Sequence, residues 1–348
     1  MPPIETLPPG TPIPGAAPRN QIDSAEGLYK FVVVTNFVQV PVTVKTADGA
    51  PVYGLLPKDF TVKENGKIQT LRFFTSDPYP LSVAILLDVG MPDVDLQRVH
   101  ETYSALVGAF SAYDEVALYT YSSIVSQVTD FTRHSERLTA ALNEIKLDRG
   151  GNGGQYWGGP LASGPTVNGM PAGGEVPPVQ VPPKEYHVLN DAILRAAVDL
   201  GKREKDRRKV IFVISDGREF GSKASYRDVL KVLQTRDIEV KGVVLDVGTL
   251  PVVHWIEDRH LKGQGYSDLV DRYAKATGGG QVYGELTRNT IEKAYVEIAS
   301  DARNQYTLGY VPQAVGGSSA YRSVEVIVHK KGLKVSAKDG YYAVPTKR

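Results

Sequence analysis

The sequence predicts an α/β domain, with a mostly parallel central sheet and helices on both faces, inserted into a β-sandwich formed by the two ends of the chain. In the middle of the chain, apolar runs alternate with stretches of helical periodicity, and this alternation requires crossover connections between parallel strands. The segments on either side alternate apolar and polar residues one by one, which is typical of half-buried strands. Neither end is long enough to bury a core alone, so we expect the two to pair.

Changes in this pattern divide the 348-residue chain into segments. Residues 1–27 form a Pro-rich arm, which we expect to be extended and flexible. Residues 28–78 and 304–348 are the two halves of the β-sandwich, and residues 79–303 are the α/β domain. Within that domain, residues 148–186 are rich in Gly and Pro. We expect a long loop insertion there, and loops of this length are usually functional or disordered.

The β segments are recognised by their alternation and by their turns. The N-terminal segment alternates over residues 38–45 and continues as strand through residues 60–68. The C-terminal segment alternates over residues 324–329 and 333–338. Turns are predicted by glycine-containing pairs, which are Asp48-Gly49, Asn65-Gly66 and Lys331-Gly332.

Strands and helices alternate through the α/β domain. Buried strands are predicted from their apolar runs at residues 81–90, 115–121, 209–217, 238–247 and 281–283. Helices are predicted from apolar residues at helical spacing at residues 96–110, 135–145, 189–200, 225–236, 267–278 and 291–302. Glycine favours the left-handed conformation that ends many helices, so Gly278 to Gly280 predict the end of the fifth of these helices.

Two of the buried strands end in a carboxylate. The run LSVAILLDVG is apolar up to Asp88, and the run KVIFVISDG is apolar up to Asp216. In open α/β sheets, ligands bind just beyond the carboxyl ends of the strands. Asp88 and Asp216 are therefore the leading candidates for functional residues.

The composition limits the classes of partner. A net charge of +1 gives no electrostatic reason to expect binding to nucleic acid, and no apolar run approaches the roughly 18–20 residues that span a bilayer. The chain has no cysteine, which excludes disulfides, a thiol nucleophile and Cys-ligated metals. Such a composition suits an exported bacterial protein. We expect a secreted, periplasmic or cell-surface location, with the signal segment not present in this chain.

The layout resembles that of von Willebrand factor type A (VWA) domains, in particular the acidobacterial VWFA-related family, over nearly the whole chain. The stretches VTVKTADGAPVYGLLPKDFTVKENGKIQTLRFF, NQYTLGYVP and GLKVSAKDGYYAV are similar to that family's flanking β segments. The resemblance implies a Rossmann-like VWA domain with a metal-ion-dependent adhesion site built from D-x-S-x-S, a Thr and an Asp. Mg²⁺ at such a site needs near-octahedral oxygen ligands.

The positions that the resemblance assigns to this site are degenerate here. They are Asp88, Gly90, Pro92, His187 and Asp216. Both serines of D-x-S-x-S are absent, and His187 stands where the T-x-L-x-D-A-I pattern has its Thr. We expect no cofactor, although a weakly held Mg²⁺ or Ca²⁺ on Asp88 and Asp216, with Asp93, Asp95 or water filling in, stays open.

Alternative interpretations remain for the candidate residues. Asp88 and Asp216 are either metal or ligand contacts, or carboxylates that cap helices and loop amides. His187 is either a ligand of a softer metal such as Zn²⁺ or a hydrogen-bonded loop residue. Tyr156 and Trp157 are partner contacts, unless they fold back onto the protein.

The function that these observations favour is a non-enzymatic protein-binding or adhesion module of an exported bacterial protein. A partner protein would bind at the carboxyl-end face of the VWA domain, around the degenerate site. No nucleophile motif is present, so we expect no catalytic residue and only weakly consider a metal-dependent hydrolase. The main alternative is a structural extracellular or envelope protein that self-associates through the edges of its β-sandwich.

Overall fold

The computed structural model describes the backbone and side chains of residues 37–145, 186–245, 268–284, 287–312 and 321–343, together with the backbone of two short strands at 166–167 and 170–171. The predicted Pro-rich arm, Tyr156, Trp157 and most of the loop 148–186 lie outside these residues. Among the described residues, no helix combines the length and apolar content needed to cross a bilayer.

The secondary structure follows the predicted order. The helices are α1 (Asp93–His100), α2 (Tyr103–Gly108), α3 (Ser135–Asn143), α4 (Leu189–Leu200), α5 (Tyr226–Thr235), α6 (Leu269–Thr277) and α7 (Arg288–Arg303), with a 3-10 turn at Pro57–Asp59. The strands are β1 (Val38–Thr46), β2 (Phe60–Glu64), β3 (Lys67–Gln69), β4 (Leu71–Thr75), β5 (Leu81–Asp88), β6 (Glu115–Tyr121), β7 (Val125–Thr132), β8 (Thr166–Val167), β9 (Met170–Pro171), β10 (Arg208–Ser215), β11 (Ile238–Val244), β12 (Tyr283–Gly284), β13 (Tyr306–Tyr310), β14 (Tyr321–Val328), β15 (Leu333–Ala337) and β16 (Gly340–Tyr342).

The middle of the chain forms a six-stranded sheet with the order β12-β11-β10-β5-β6-β7. All neighbours are parallel except β6 and β7. Every residue of β5 is buried, as its apolar sequence predicts for a strand covered on both faces. Helices α1, α2, α3 and α7 pack on one face, and α4, α5 and α6 pack on the other. The predicted α/β class, with a mostly parallel sheet between helices, is confirmed.

The two ends of the chain pair in two four-stranded antiparallel sheets. Their orders are β15-β1-β13-β4 and β16-β14-β2-β3, so each sheet contains strands from both sides of the α/β unit. Val40 of β1 lies opposite Leu308 of β13, and Val62 of β2 lies opposite Val326 of β14. Val40, Val62 and Leu308 belong to one buried apolar cluster. The predicted pairing between the two ends is therefore present.

One predicted helix needs correction, one strand was missed, and one predicted helix end is confirmed. The single helix expected over 96–110 is two helices, because Thr102 leaves helical geometry and its hydroxyl donates to the carbonyl of Val99 (2.7 Å); such back-bonding bends helices. Strand β7 was not predicted, because it is a largely exposed edge strand without strict alternation. Helix α6 ends at Gly278, whose φ of 84° is left-handed, as predicted.

Candidate functional site

Asp88 and Asp216 lie at the ends of two neighbouring strands whose crossover helices pack on opposite faces of the sheet. Strand β5 connects through α1 and α2, on one face, to β6, whereas its neighbour β10 connects through α5, on the other face, to β11. Asp88 is the last residue of β5, and Asp216 directly follows β10. The carboxyl ends of two such strands enclose the crevice in which open α/β sheets bind ligands.

His187 is held beside these carboxylates by its backbone. It forms a two-way bridge with Phe220, in which the His187 N–H donates to the Phe220 carbonyl (3.0 Å) and the Phe220 N–H donates back (2.9 Å). The next N–H, of Val188, donates to the carbonyl of Ser122 beyond the end of β6 (2.9 Å). The ring of Tyr186 packs on that of Phe220, with 5.6 Å between centroids. The start of α4 is thus tied to both neighbouring loops.

Further hydrogen bonds fix the loop after β10 against the start of α4. The buried Glu219 carboxylate accepts from the N–H of Asn190 (2.8 Å) and from the Ser222 hydroxyl (3.0 Å). Burial raises the pKa of Glu219. The Asp191 carboxylate accepts from the N–H of Lys223 (3.0 Å). Glu219 was not among the residues predicted from the sequence, although a Glu three residues after Asp216 in a loop was the available signal.

The two Asp and the His form one compact cluster. The Nδ1 atom of His187 is 2.9 Å from Oδ2 of Asp88 and 3.9 Å from Oδ1 of Asp216. One potential ligand atom from each residue lies within 4.8 Å of the others. Asp88 and His187 are buried, and Asp216 is of intermediate burial, with its side chain 7% exposed. The prediction that the folded chain brings Asp88, His187 and Asp216 together is consistent with this geometry; their role stays a prediction.

Asp88 is the acceptor at the centre of the cluster. Its Oδ1 accepts from the backbone N–H of Gly90 (2.8 Å), and its Oδ2 accepts from the Ser215 hydroxyl (3.1 Å) as well as from His187. Ser215 accepts in turn from the N–H of Gly217 (2.9 Å). Burial outweighs the effect of these donors and raises the pKa of Asp88, whereas the hydrogen bonds from His187 and Gly90 favour its ionised form. Ser215 was not predicted as a site residue, because a serine before the Asp of a strand end carries no distinctive signal in the sequence.

The electrostatics of the cluster favour a positive charge on His187. Burial alone lowers the pKa of its imidazole, but the hydrogen bond with Asp88 and the charges of Asp88 and Asp216 outweigh that effect and raise it. Asp216 has a second cationic neighbour, because the Nε atom of Arg218 lies 3.5 Å from its Oδ2. Two carboxylates therefore face two basic side chains.

The remaining site positions provide no oxygen ligand. Gly90 has no side chain, and Pro92 precedes α1, where its carbonyl accepts from the N–H of Asp95 (2.9 Å). Asp95 is buried, and its Oδ1 atom is 3.2 Å from Arg98. The donor set is thus two carboxylates and one imidazole, which does not fit the near-octahedral oxygen shell of Mg²⁺. A softer metal could use an imidazole, through Nδ1 only after that atom lost the proton that it donates to Asp88.

Some buried polar atoms of the site have no hydrogen-bond partner in the described part of the chain. They are Nε2 of His187, the hydroxyl of Tyr121, and Oδ2 of Asp216, which has Nε of Arg218 beside it at ion-pair distance (3.5 Å). Tyr121 lies opposite Asp88 on the neighbouring strand, and burial raises its pKa. Buried polar atoms without partners are uncommon and call for a functional explanation.

Exposed apolar side chains flank the cluster. Ile124, in the turn after β6, is 70% exposed, and Val94 at the start of α1 and Tyr186 beside His187 are also exposed. Each of the three lies at or next to the carboxyl end of the sheet. Arg218 adds a half-exposed cationic side chain there. This group is called the carboxyl-end rim below.

Comparisons with known proteins find similarity only among solved structures. No family model matches the sequence, and no curated protein matches it. Similar solved structures include a conserved hypothetical protein, BatB, from Bacteroides thetaiotaomicron, with 15% identity and a TM-score of 0.42 over 64% of this chain and 98% of that one. Another is proximal thread matrix protein 1 from the mussel byssus, solved with a zinc-occupied MIDAS motif, at 11% identity and a TM-score of 0.41 over 69% and 49%. A third is the SpRpn10 VWA domain, at 14% identity and a TM-score of 0.30 over 56% and 95%.

The α/β unit has a VWA-like fold. At these levels of similarity the neighbours carry no argument about this chain. The assignment depends on features of the chain itself, namely the strand order β12-β11-β10-β5-β6-β7 and the Asp residues at the ends of β5 and β10.

Proposed function

We propose that this chain is a non-enzymatic protein-binding module whose partner docks on the carboxyl-end rim. The observation behind the proposal is the Asp88–His187–Asp216 cluster, in which Nε2 of His187 has no hydrogen-bond partner among the described residues. The cluster lies at the position where α/β sheets bind their ligands. Exposed apolar side chains next to a preorganised polar group provide the two components of a protein interface. Arg218 is the rim residue best suited to meet an acidic group of the partner.

The same geometry argues against a serine-dependent hydrolase. A serine nucleophile needs its hydroxyl hydrogen-bonded to a basic imidazole nitrogen. Here the Ser215 hydroxyl donates to Asp88 rather than to His187, so the three residues do not form a proton relay. Both side chains are also buried. A non-enzymatic role is therefore the simpler proposal.

The proposal includes the architecture around the binding unit. The two four-stranded sheets would be the layers of one β-sandwich, formed by residues 28–78 and 304–348, into which residues 79–303 are inserted. The strand pairing across the insertion and the shared apolar cluster support this arrangement. The cysteine-free composition suits a secreted, periplasmic or cell-surface protein.

Two isoleucines with equal exposure allow a controlled test. Ile124 on the rim and Ile68 on strand β3 are both 70% exposed. Substitution by Asp therefore replaces the same side chain at the same exposure in the two places. We expect Ile124→Asp to weaken capture of a partner from the native host's envelope fraction at least tenfold, and Ile68→Asp to leave it unchanged. Light scattering after size exclusion should give a monomer for all three proteins.

The opposite pattern would support the structural alternative. If the wild type forms large assemblies that Ile68→Asp dissolves and Ile124→Asp does not, self-association through the edge strands is the function. If capture is equally strong for wild type and Ile124→Asp, the rim is not the binding surface.

A further inference from the structure

We infer that the His187 side chain occupies the place of the divalent cation in this site, so that the carboxyl-end face is held together without a metal ion. This inference does not depend on the proposed function, because it concerns how the two carboxylates are held and not what binds outside them. The Mg²⁺ site that the fold implies needs a shell of oxygen ligands, and the residues present do not supply one.

The position of the imidazole is the first observation. Its Nδ1 atom lies between the two carboxylates that a cation would need, at 2.9 Å from Asp88 and 3.9 Å from Asp216. A donor nitrogen at this place satisfies the oxygen of Asp88 that would otherwise require a cation. Buried carboxylates must be paired and hydrogen-bonded, and His187 meets this requirement from within the chain.

The absence of a side chain at Gly90 is the second observation, and it is independent of the first. A Cβ atom at this position would lie 3.1 Å from Cε1 and 3.2 Å from Nδ1 of His187, and 2.9 Å from Oδ1 of Asp88. These contacts are tighter than ordinary van der Waals packing. A serine at 90 and the His187 ring therefore compete for the same space. We call Gly90 and His187 the matched pair, because glycine in place of serine at position 90 leaves room for the His187 ring.

The third observation is that the ring cannot readily move away. The bridge between His187 and Phe220 and the hydrogen bond from Val188 to Ser122 fix the backbone on both sides of the ring. The side chain is fully buried. A cation that entered the site would have to displace a hydrogen-bonded ring from a packed position.

Metal titration of the purified full chain tests the inference directly. We expect the melting temperature of the wild type to change by less than about 1 °C on addition of millimolar MgCl₂ or CaCl₂, of micromolar ZnCl₂, or of EDTA. The reason is that an ion stabilises the folded protein only if the folded protein binds it. A reproducible upward shift with any of these ions, reversed by EDTA and lost in Asp88→Ala, would overturn the inference. The expected outcome, no shift in the wild type, is measured without any variant, and Asp88→Ala is needed only to assign a shift to this site.

The matched pair gives the second test. We expect Gly90→Ser alone to lower the melting temperature by several degrees and Gly90→Ser/His187→Thr to recover most of that loss. Gly108→Ser is the control, because a Cβ at Gly108 has no atom within 4 Å. If Gly90→Ser is as harmless as Gly108→Ser, the ring does not occupy the space assigned to it and the inference is wrong.

Restoring the oxygens gives the third test. We expect Gly90→Ser/Pro92→Ser/His187→Thr to gain an upward shift with millimolar MgCl₂ that EDTA abolishes, because three hydroxyls then join the two carboxylates. If this variant is folded and its melting temperature is as insensitive to MgCl₂ as that of the wild type, the loss of metal binding is not due to these positions, and the inference fails.

Discussion

Removing the Asp88 carboxylate should destabilise the protein strongly, because three buried donors depend on it. Asp88→Ala leaves the Gly90 N–H, the Ser215 hydroxyl and the His187 Nδ1–H without an acceptor. An unsatisfied buried donor costs about 1–3 kcal/mol, and breaking a buried charge pair costs about 3–5 kcal/mol in total. We take about 3–5 kcal/mol as the loss in unfolding free energy. At roughly 2 °C per kcal/mol for a large chain, this lowers the melting temperature by about 6–10 °C.

The assay is thermal unfolding followed by circular dichroism in EDTA, so that no metal contributes. Asp206→Ala is the control, because Asp206 is exposed and surface substitutions usually change stability by less than about 0.5 kcal/mol. A second measurement uses His187→Leu with and without Asp88→Ala. We expect the two losses to overlap, so that the double variant is more stable than the sum of the single effects predicts.

Two results would refute this reasoning. If Asp88→Ala costs no more than Asp206→Ala, the carboxylate is not a buried acceptor for these donors. If the effects of His187→Leu and Asp88→Ala are additive, the two side chains do not interact, and the short Nδ1–Oδ2 distance has no energetic consequence.

Three further predictions concern the rest of the chain. Burial alone would raise the pKa of Asp114, but backbone and side-chain donors, including Arg303, outweigh burial and lower the pKa. The Asp114 carboxylate therefore stabilises the fold above its ordinary pKa of 3.8, and this stabilisation is lost as the pH falls below that value. Asp114→Asn should accordingly flatten the acid side of the curve of melting temperature against pH. Gly279→Ala should prevent or strongly weaken folding, measured as soluble yield and melting temperature, because its Cβ would lie 1.8 Å from the carbonyl oxygen of Val240. Phe60→Ala should cost about 3–5 kcal/mol of unfolding free energy in urea titrations, because this buried ring lies in the core shared by both ends of the chain.

The elements that could be predicted well from the sequence are those in which burial alone decides the structure. Strand β5 could be predicted because a continuous run of apolar residues must be buried on both faces, which requires a helical layer on each side of the sheet. Asp88 and Asp216 could be predicted as neighbours because parallel strands end at the same edge of the sheet. His187 was placed at this edge by its position in the T-x-L-x-D-A-I pattern. None of these inferences required the contacts of a particular side chain.

The elements that were missed depend on contacts between distant residues. Strand β7 is exposed and polar, so it forms through its hydrogen bonds with β6 and not through a pattern of its own. The support that Glu219 gives to the start of α4 depends on the path of a loop. The fit between Gly90 and the His187 ring joins residues that are far apart in sequence, and only the packed structure places them within contact distance.

The hydrogen bonds of Asp88 give a physical reason why this carboxylate is needed whether or not a metal is bound. Asp88 receives hydrogen bonds from Gly90 and Ser215, so replacing it leaves those donors unpaired whether or not a metal is bound. A buried carboxylate that accepts hydrogen bonds at the ends of two strands needs a hydrogen-bond donor or a cation beside it. An imidazole delivered by the start of α4 meets this need without a metal. Under the proposed function, the cluster is a structural element beneath the carboxyl-end rim, and the partner contacts the exposed rim itself.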